Sequence, residues 1–216
     1  MEQLRVLVIG GSRGVGRAIA LRFAREGARV AVAARNSGQL DQVVKEIEAA
    51  GGQSRAQQMN VGDHGSVEAA VWRAVEFTGG ALDVLVNAAS TFDPKPFAKL
   101  DLATWRRHVE VNLDGPYYVI SESLEPLSAG NRPHVFNIGS TGGKPLGAAF
   151  VATKSGVKGL SDALREDLRA DRIRVTTIHP KDAQTKPEDI AEAIWKTYHA
   201  ADGEAVENVD VAGSPG

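Results

Sequence analysis

The sequence contains no cysteine, so disulfides, thiolate nucleophiles and cysteine-ligated metals are excluded at the outset. It also lacks any run of like charge. Its 25 basic and 27 acidic residues are interspersed and leave a net charge of −2, so neither a nucleic-acid footprint nor a membrane-surface patch is expected. No apolar stretch approaches a membrane span. Repeats and low-complexity tracts are missing, and only the last residues, 213–216, read as a flexible tail. The start, MEQLRVLVIGG, runs straight into a strand pattern and leaves no room for a signal peptide. The five histidines (64, 108, 134, 179 and 199) have no metal-ligand spacing and read as scattered surface residues. No bound metal is expected, and a cytoplasmic protein follows by default.

What is present is ordinary globular material: 216 residues, 43% hydrophobic and 24% charged, enough for one domain over 1–212 but hardly for two. Apolar β-branched runs alternate with helical patterns throughout. Val6–Ile9 is a continuous apolar run, as a strand buried on both faces requires. Further strands are expected at Val30–Ala33, Ala56–Met59, Leu82–Val86, Val135–Ile138, Val175–Ile178 and Val206–Val211. Between them, helical spacing marks Val15, Ile19 and Phe23, then Leu40 to Ile47, then Val67, Val71 and Val75. One long helix is expected from Leu102 to Leu127, another over Phe150–Ala170, and a last over Pro187–Tyr198. This alternation predicts a doubly wound parallel α/β sheet of about seven strands, of Rossmann type, with helices on both faces. Functional residues should then sit just after strands, near the point where strand order reverses.

The first such position holds Gly10-Gly11-Ser12-Arg13-Gly14-Val15-Gly16, between the first strand and the first helix. Gly10 suits a tight turn, Gly14 a close approach to pyrophosphate, and Gly16 close helix–strand packing. The helix start adds unpaired N–H groups and a partial positive charge. The second strand ends in Ala33-Ala34-Arg35-Asn36, with no carboxylate to hold a ribose 2′-hydroxyl. Arg35 and Arg13 instead suit a 2′-phosphate, which favours NADP(H) over NAD(H).

These features, with others along Leu4 to Ile194, resemble the short-chain dehydrogenase/reductase family. The glycine motif follows the family's Thr-Gly-x-x-x-Gly-x-Gly, with Ile9 in place of threonine. Asn60-Val61 is similar to the family's pair beside the adenine, and Asn87-Ala88-Ala89-Ser90 partly matches its Asn-Asn-Ala-Gly. The resemblance places the family's catalytic asparagine at Asn112, its serine at Ser140 and its lysine at Lys154. Pro180-Lys181 stands at the Pro-Gly turn, and Thr185 at the threonine that contacts nicotinamide. Phe150 occupies the place of the catalytic tyrosine. In the family that phenol protonates the substrate oxygen, the lysine ammonium lowers its pKa, and the serine holds the same oxygen. A phenylalanine keeps the ring and removes the proton. Lys154 keeps a second role, hydrogen bonding to the nicotinamide ribose.

Two further departures accompany Phe150. The interval from Ser140 to Phe150 is about three residues shorter than the family's. After Thr185 the chain enters Lys186-Pro187-Glu188-Asp189 at once, where the family places a substrate-covering segment. Replacement acids are few. Tyr117 and Tyr118 face away from Asn112 and suit core or interface packing. His179 suits a loop anchor better than an acid, and water between Ser140 and Lys154 is a possible relay. Three functions fit: an NADPH-dependent oxidoreductase of a small carbonyl or alcohol with altered acid catalysis, a silent NADP(H)-binding sensor or scaffold, and a Tyr-to-Phe variant of an active reductase. The family's pairing of the helices holding Asn112 and Phe150 implies a homodimer or homotetramer.

Overall fold

The structure, a computed structural model, describes residues 3–140, 146–181, 185–200 and 206–213. The tail beyond Gly213, and residues 141–145 of the shortened interval before Phe150, lie outside these residues. Seven strands form one sheet: β1 (Arg5–Ile9), β2 (Arg29–Ala34), β3 (Gln53–Gln58), β4 (Val84–Asn87), β5 (His134–Ile138), β6 (Arg174–Pro180) and β7 (Asn208–Val211). All pairs are parallel and the order is β3-β2-β1-β4-β5-β6-β7. The chain is therefore the doubly wound α/β sheet that its strand–helix alternation predicts. Strand order reverses between β1 and β4, which opens a crevice at their carboxyl ends.

Both faces of β1 are apolar, and the pleat sends alternate residues to opposite cores. Val6 and Val8 pack with Ile19 and Phe23 of α1 (Gly14–Arg25), Leu40 and Ile47 of α2 (Ser37–Ala49), and Ile190 and Ile194 of α7 (Pro187–His199). Leu7 and Ile9 pack with Val67 and Val71 of α3 (His64–Thr78) and Val119 and Leu127 of α5 (Gly115–Ser128). Helices α4 (Leu102–Val109) and α6 (Ala148–Asp167) complete the set. Among the described residues, no helix is long and apolar enough to cross a membrane.

Several expected boundaries move. The helix read as continuous from Leu102 to Leu127 is two helices joined by a wider π turn at Glu110–Asp114. Pro116 explains the break, because it has no N–H to donate to the Asn112 carbonyl, as an α-helix would require. Strand β3 starts at Gln53 rather than Ala56, because an edge strand tolerates the polar QSRAQQ that hid it. Strand β4 starts at Val84 rather than Leu82, since buried Asp83 is taken up by Arg5, which donates Nε and Nη2 to its two oxygens at 2.9 and 2.8 Å.

The histidine reading needs the largest correction. Three of the five are buried: His108, His134 and His179. Burial is possible because each finds at least one neutral partner, although His134 Nδ1 has none among the described residues. His108 faces the Thr104 carbonyl and the Asp93 N–H, His134 faces Thr176 Oγ1, and His179 faces Asn208 Oδ1. Burial, together with nearby Arg174 and Arg132, holds His134 well below the usual histidine pKa. Tyr118 is half-buried on the His64 ring, whereas Tyr117 is 57% exposed and is not core within one chain.

Candidate active site

The crevice at the β1–β4 reversal is a cleft of about 650 Å³. Its walls include Gly10, Ser12, Arg13, Gly14, Val15 and Gly16 from the β1–α1 turn and Arg35 from the end of β2. Val61, Ala88 and Ala89 contribute from beyond β3 and β4. Glycine is required at several points of the turn, Gly16 and Gly14 among them. A Cβ on Gly16 would collide with the Gly10 carbonyl, so the loop closes onto the helix only without one. At Gly14 the backbone turns left-handed (φ +54°) and open space lies where a Cβ would stand, leaving the main chain bare toward the cleft.

The helix start at this turn differs from those of α2, α3 and α4, although α5 and α6 also lack a side-chain cap. Helices α2, α3 and α4 are capped by Asn36, Asp63 and Asp101, whose side chains accept from Gln39, Ser66 and Thr104 N–H groups. Helix α1 has Arg13 at that position, extended and without a side-chain cap bond. Its first N–H groups therefore remain for a ligand, at the positive end of the helix. Arg13 and Arg35 are both exposed, and neither guanidinium has an ionic partner among the described residues. The donor set and bare backbone suit a phosphate-bearing ligand.

The second group of expected residues gathers where α6 meets β5 and the π turn. Asn112 is buried, and its side-chain amide is fully used. Its Oδ1 accepts from Thr91 N at 2.7 Å and Ser90 Oγ at 3.2 Å. Its Nδ2 donates to Thr91 O at 3.0 Å and Thr153 Oγ1 at 3.3 Å. Asn112 thus ties the loop after β4 to the second turn of α6, between Phe150 and Lys154.

Lys154 is 8% exposed, and Nζ donates to the Ile138 carbonyl at 2.7 Å. Burial lowers its pKa from the usual 10.5 to about 8, because a desolvated ammonium is disfavoured. The Phe150 ring centroid lies 5.8 Å from Nζ, and Phe92 meets that ring edge-on at 5.0 Å. Ser140 is half-buried, two residues beyond Ile138.

Other expected residues stand apart from the cleft wall. Asn87 turns its side chain inward, donating Nδ2 to Asn137 Oδ1 at 2.9 Å. Asn60 is exposed, and its backbone N–H is held by Ser66 Oγ at 3.0 Å. Pro180 ends β6, and Thr185 Oγ1 donates to the Val211 carbonyl at 3.2 Å, beside β7. Asn36 and Gln39 line the cleft without having been anticipated. The signal was available, since an asparagine before Ser37-Gly38 is a helix-cap pattern next to Arg35. Phe92 was also missed, because a lone aromatic after a strand carries no periodic mark.

The residue pattern of the short chain dehydrogenase family matches residues 5–193. The chain is 35% identical over 178 residues to the 3-oxoacyl-(acyl-carrier-protein) reductase FabG of Staphylococcus aureus, covering 81% of this chain and 72% of that protein. It is 31% identical over 198 residues to a 3beta-hydroxysteroid dehydrogenase of Mediterraneibacter gnavus, covering 90% and 71%. Among solved structures, a metagenomic short-chain oxidoreductase in complex with NADP superposes with a TM-score of 0.90 at 31% identity, covering 98% of both chains. A variant of actinorhodin polyketide ketoreductase with NADPH superposes with a TM-score of 0.91 at 27% identity, covering 98% of this chain and 96% of that one.

Proposed function

This chain belongs to the short-chain dehydrogenase family of NAD(P)-dependent oxidoreductases, and on that premise we propose an NADP(H)-preferring enzyme with altered acid catalysis. Its substrate is a small carbonyl compound or the matching alcohol. One observation carries the cofactor choice: the uncapped start of α1 lies beside two exposed guanidinium groups without ionic partners among the described residues. Relatives solved with NADP and NADPH support it. When bound, a nicotinamide dinucleotide supplies or accepts the hydride.

The protein's own residues do the rest. The α1 N–H groups hold the pyrophosphate, and Arg13 and Arg35 grip the 2′-phosphate through charge-assisted bonds. Lys154 has donors left beyond the one given to Ile138, and these reach ribose hydroxyls or a water. Ser140 holds the substrate oxygen. Phe150 shapes the pocket but has no proton to give, so the proton comes through water held between Ser140 and Lys154. Stopped-flow absorbance at the NADPH band, with a panel of ketones and quinones, tests this. Oxidation should exceed that of a Lys154→Ala control, and equal rates would end the enzyme reading.

A second function, a silent NADP(H)-binding sensor or scaffold, is favoured by the same Phe150. Calorimetry addresses what the two share: without measurable NADPH affinity, neither survives. Homodimeric or homotetrameric assembly and a cytoplasmic location complete the proposal, and sedimentation velocity decides the first.

A further inference from the structure

Behind the cleft wall, three polar side chains form a ladder that no secondary structure requires. Asn87, ending β4, donates to Asn137 Oδ1 at 2.9 Å. Asn137, its partner on β5, donates Nδ2 to Ser161 Oγ at 2.9 Å. Ser161, on α6, donates to the Val157 carbonyl at 2.8 Å. Asn137 and Ser161 have no exposed surface at all, and Asn87 has 5%. A polar group buried so deeply costs about 1–3 kcal/mol if its partner is lost. Apolar side chains would fill the same space without that liability, so packing alone does not account for the ladder.

The spacing along α6 points to its use. Ser161 follows Lys154 by seven residues, or two helical turns, so both side chains leave the helix on one face. That face lies on β5. Lys154 Nζ donates to the carbonyl of Ile138, the residue directly after Asn137. Helix α6 is therefore tied to two consecutive residues of β5, at one point by side chains and at the other by a main-chain carbonyl. Hydrophobic contact is non-directional and tolerates sliding. A buried hydrogen bond does not, because a shifted helix leaves its polar groups unpaired.

We propose that Asn137 and Ser161 are positioning residues: their bond sets the register of α6 on β5 and thereby holds the Lys154 amine against the Ile138 carbonyl, beside Ser140. The assignment rests on Lys154 being a site residue, as in the proposed function. The ladder's far end, Asn87, directly precedes Ala88 and Ala89 of the cleft wall, so the same bonds join that wall to α6. The groups around Nζ are the Ile138 carbonyl and the Phe150 ring, and no carboxylate pairs with it among the described residues. Its amine is thus sensitive to how closely the helix seats.

Competitive acylation of the full-length chain with acetic anhydride, read at Lys154 by peptide mass spectrometry across the lysine titration range, tests this. Ser161→Thr and Ser161→Val are matched in shape and differ in the hydroxyl. With Ser161→Thr the Lys154 midpoint should stay near about 8, and with Ser161→Val it should move up toward 10.5 as water reaches the amine. The same midpoint in both overturns the proposal. Should Ser161→Val fail to fold, Ser161→Ala takes its place, and a midpoint unchanged from the parent protein overturns it equally. Labelling needs no cofactor or substrate. A chain that binds no NADPH therefore still returns an answer, and the two proposals fail separately.

Discussion

Around the β1–α1 turn, the first N–H groups of α1 have no side-chain cap, and Arg13 and Arg35 have no ionic partner among the described residues. Where α6 meets β5 and the π turn, the helix start is likewise uncapped, but the polar side chains are taken up. Asn112 spends its whole amide on Thr91, Ser90 and Thr153, and Lys154 donates to Ile138. One region keeps polar groups open toward a cleft, and the other consumes them internally around an aromatic ring that carries no proton. On the proposed function the difference separates binding from turnover: the first region suits an anion, while the second holds its own shape. Chemistry there depends on what remains of Lys154 and Ser140.

The largest predicted effect would erase this contrast. Phe150→Tyr puts a phenol next to the Lys154 ammonium, whose charge lowers the phenol pKa toward the working range. A positioned general acid contributes about 100- to 10,000-fold. NADPH-dependent carbonyl reduction should rise by that factor in stopped-flow traces. An unchanged rate would mean that the region lacks more than a proton, and the contrast would deepen into a loss of the whole reaction centre.

The buried amine gives the next effect, with a sign fixed by linkage. The folded-state pKa of Lys154 is lowered to about 8 from 10.5, so between these values the unfolded chain binds more protons and stability rises with pH. The penalty for burying the ammonium is complete below about 8 and gone above 10.5. Lys154→Met removes the titration. The stability difference between variant and parent should therefore shrink, by up to about 3 kcal/mol, on going from neutral pH to 10.5. Urea unfolding at the two pH values measures it. A difference that stays constant would mean a hydrated amine and an α6 region less closed than described.

The two regions were not equally legible in the sequence. The open one could be read in its main parts, though not Asn36 or Gln39, since a strand, a glycine turn and a helix start are local, and Arg35 lies at a strand end. The closed one could be read only as positions. Asn112 was identified, but the π turn around it was not, because Pro116 leaves the apolar periodicity of the segment intact. The Asn87–Asn137–Ser161 ladder and buried His108, His134 and His179 went unseen for a related reason. Each has a hydrogen-bond partner from another element, although Asn87 Oδ1 and His134 Nδ1 are left without one among the described residues, and such pairs leave no spacing to detect.

A charge reversal sharpens the open side. Arg35→Asp removes one half of the proposed 2′-phosphate grip and installs the carboxylate that suits a ribose hydroxyl. Charge-assisted bonds contribute about 1.5–3 kcal/mol each, so the ratio of NADPH to NADH affinity should fall by about 10- to 100-fold in calorimetry. A ratio that does not move would assign Arg35 to the solvated surface.

The smallest effect asks whether the two regions are independent. Asn36 caps α2 by accepting from Gln39 N at 3.0 Å, and both residues line the cleft. Asn36→Ala should cost about 1 kcal/mol of stability, the usual loss when such a cap goes. In a chain of this size that lowers the melting temperature by about 2–4 °C. Affinity for NADPH should weaken only severalfold, since the α1 N–H groups and both arginines are untouched. Helix α2 packs on the face of the sheet that carries α1 and α7, while Leu164 of α6 packs on the opposite one. The Lys154 labelling midpoint should therefore stay where it is in the parent protein. A midpoint that moved would show that loosening the open side is felt across the sheet at the closed one, and the two regions would have to be treated as a single coupled site.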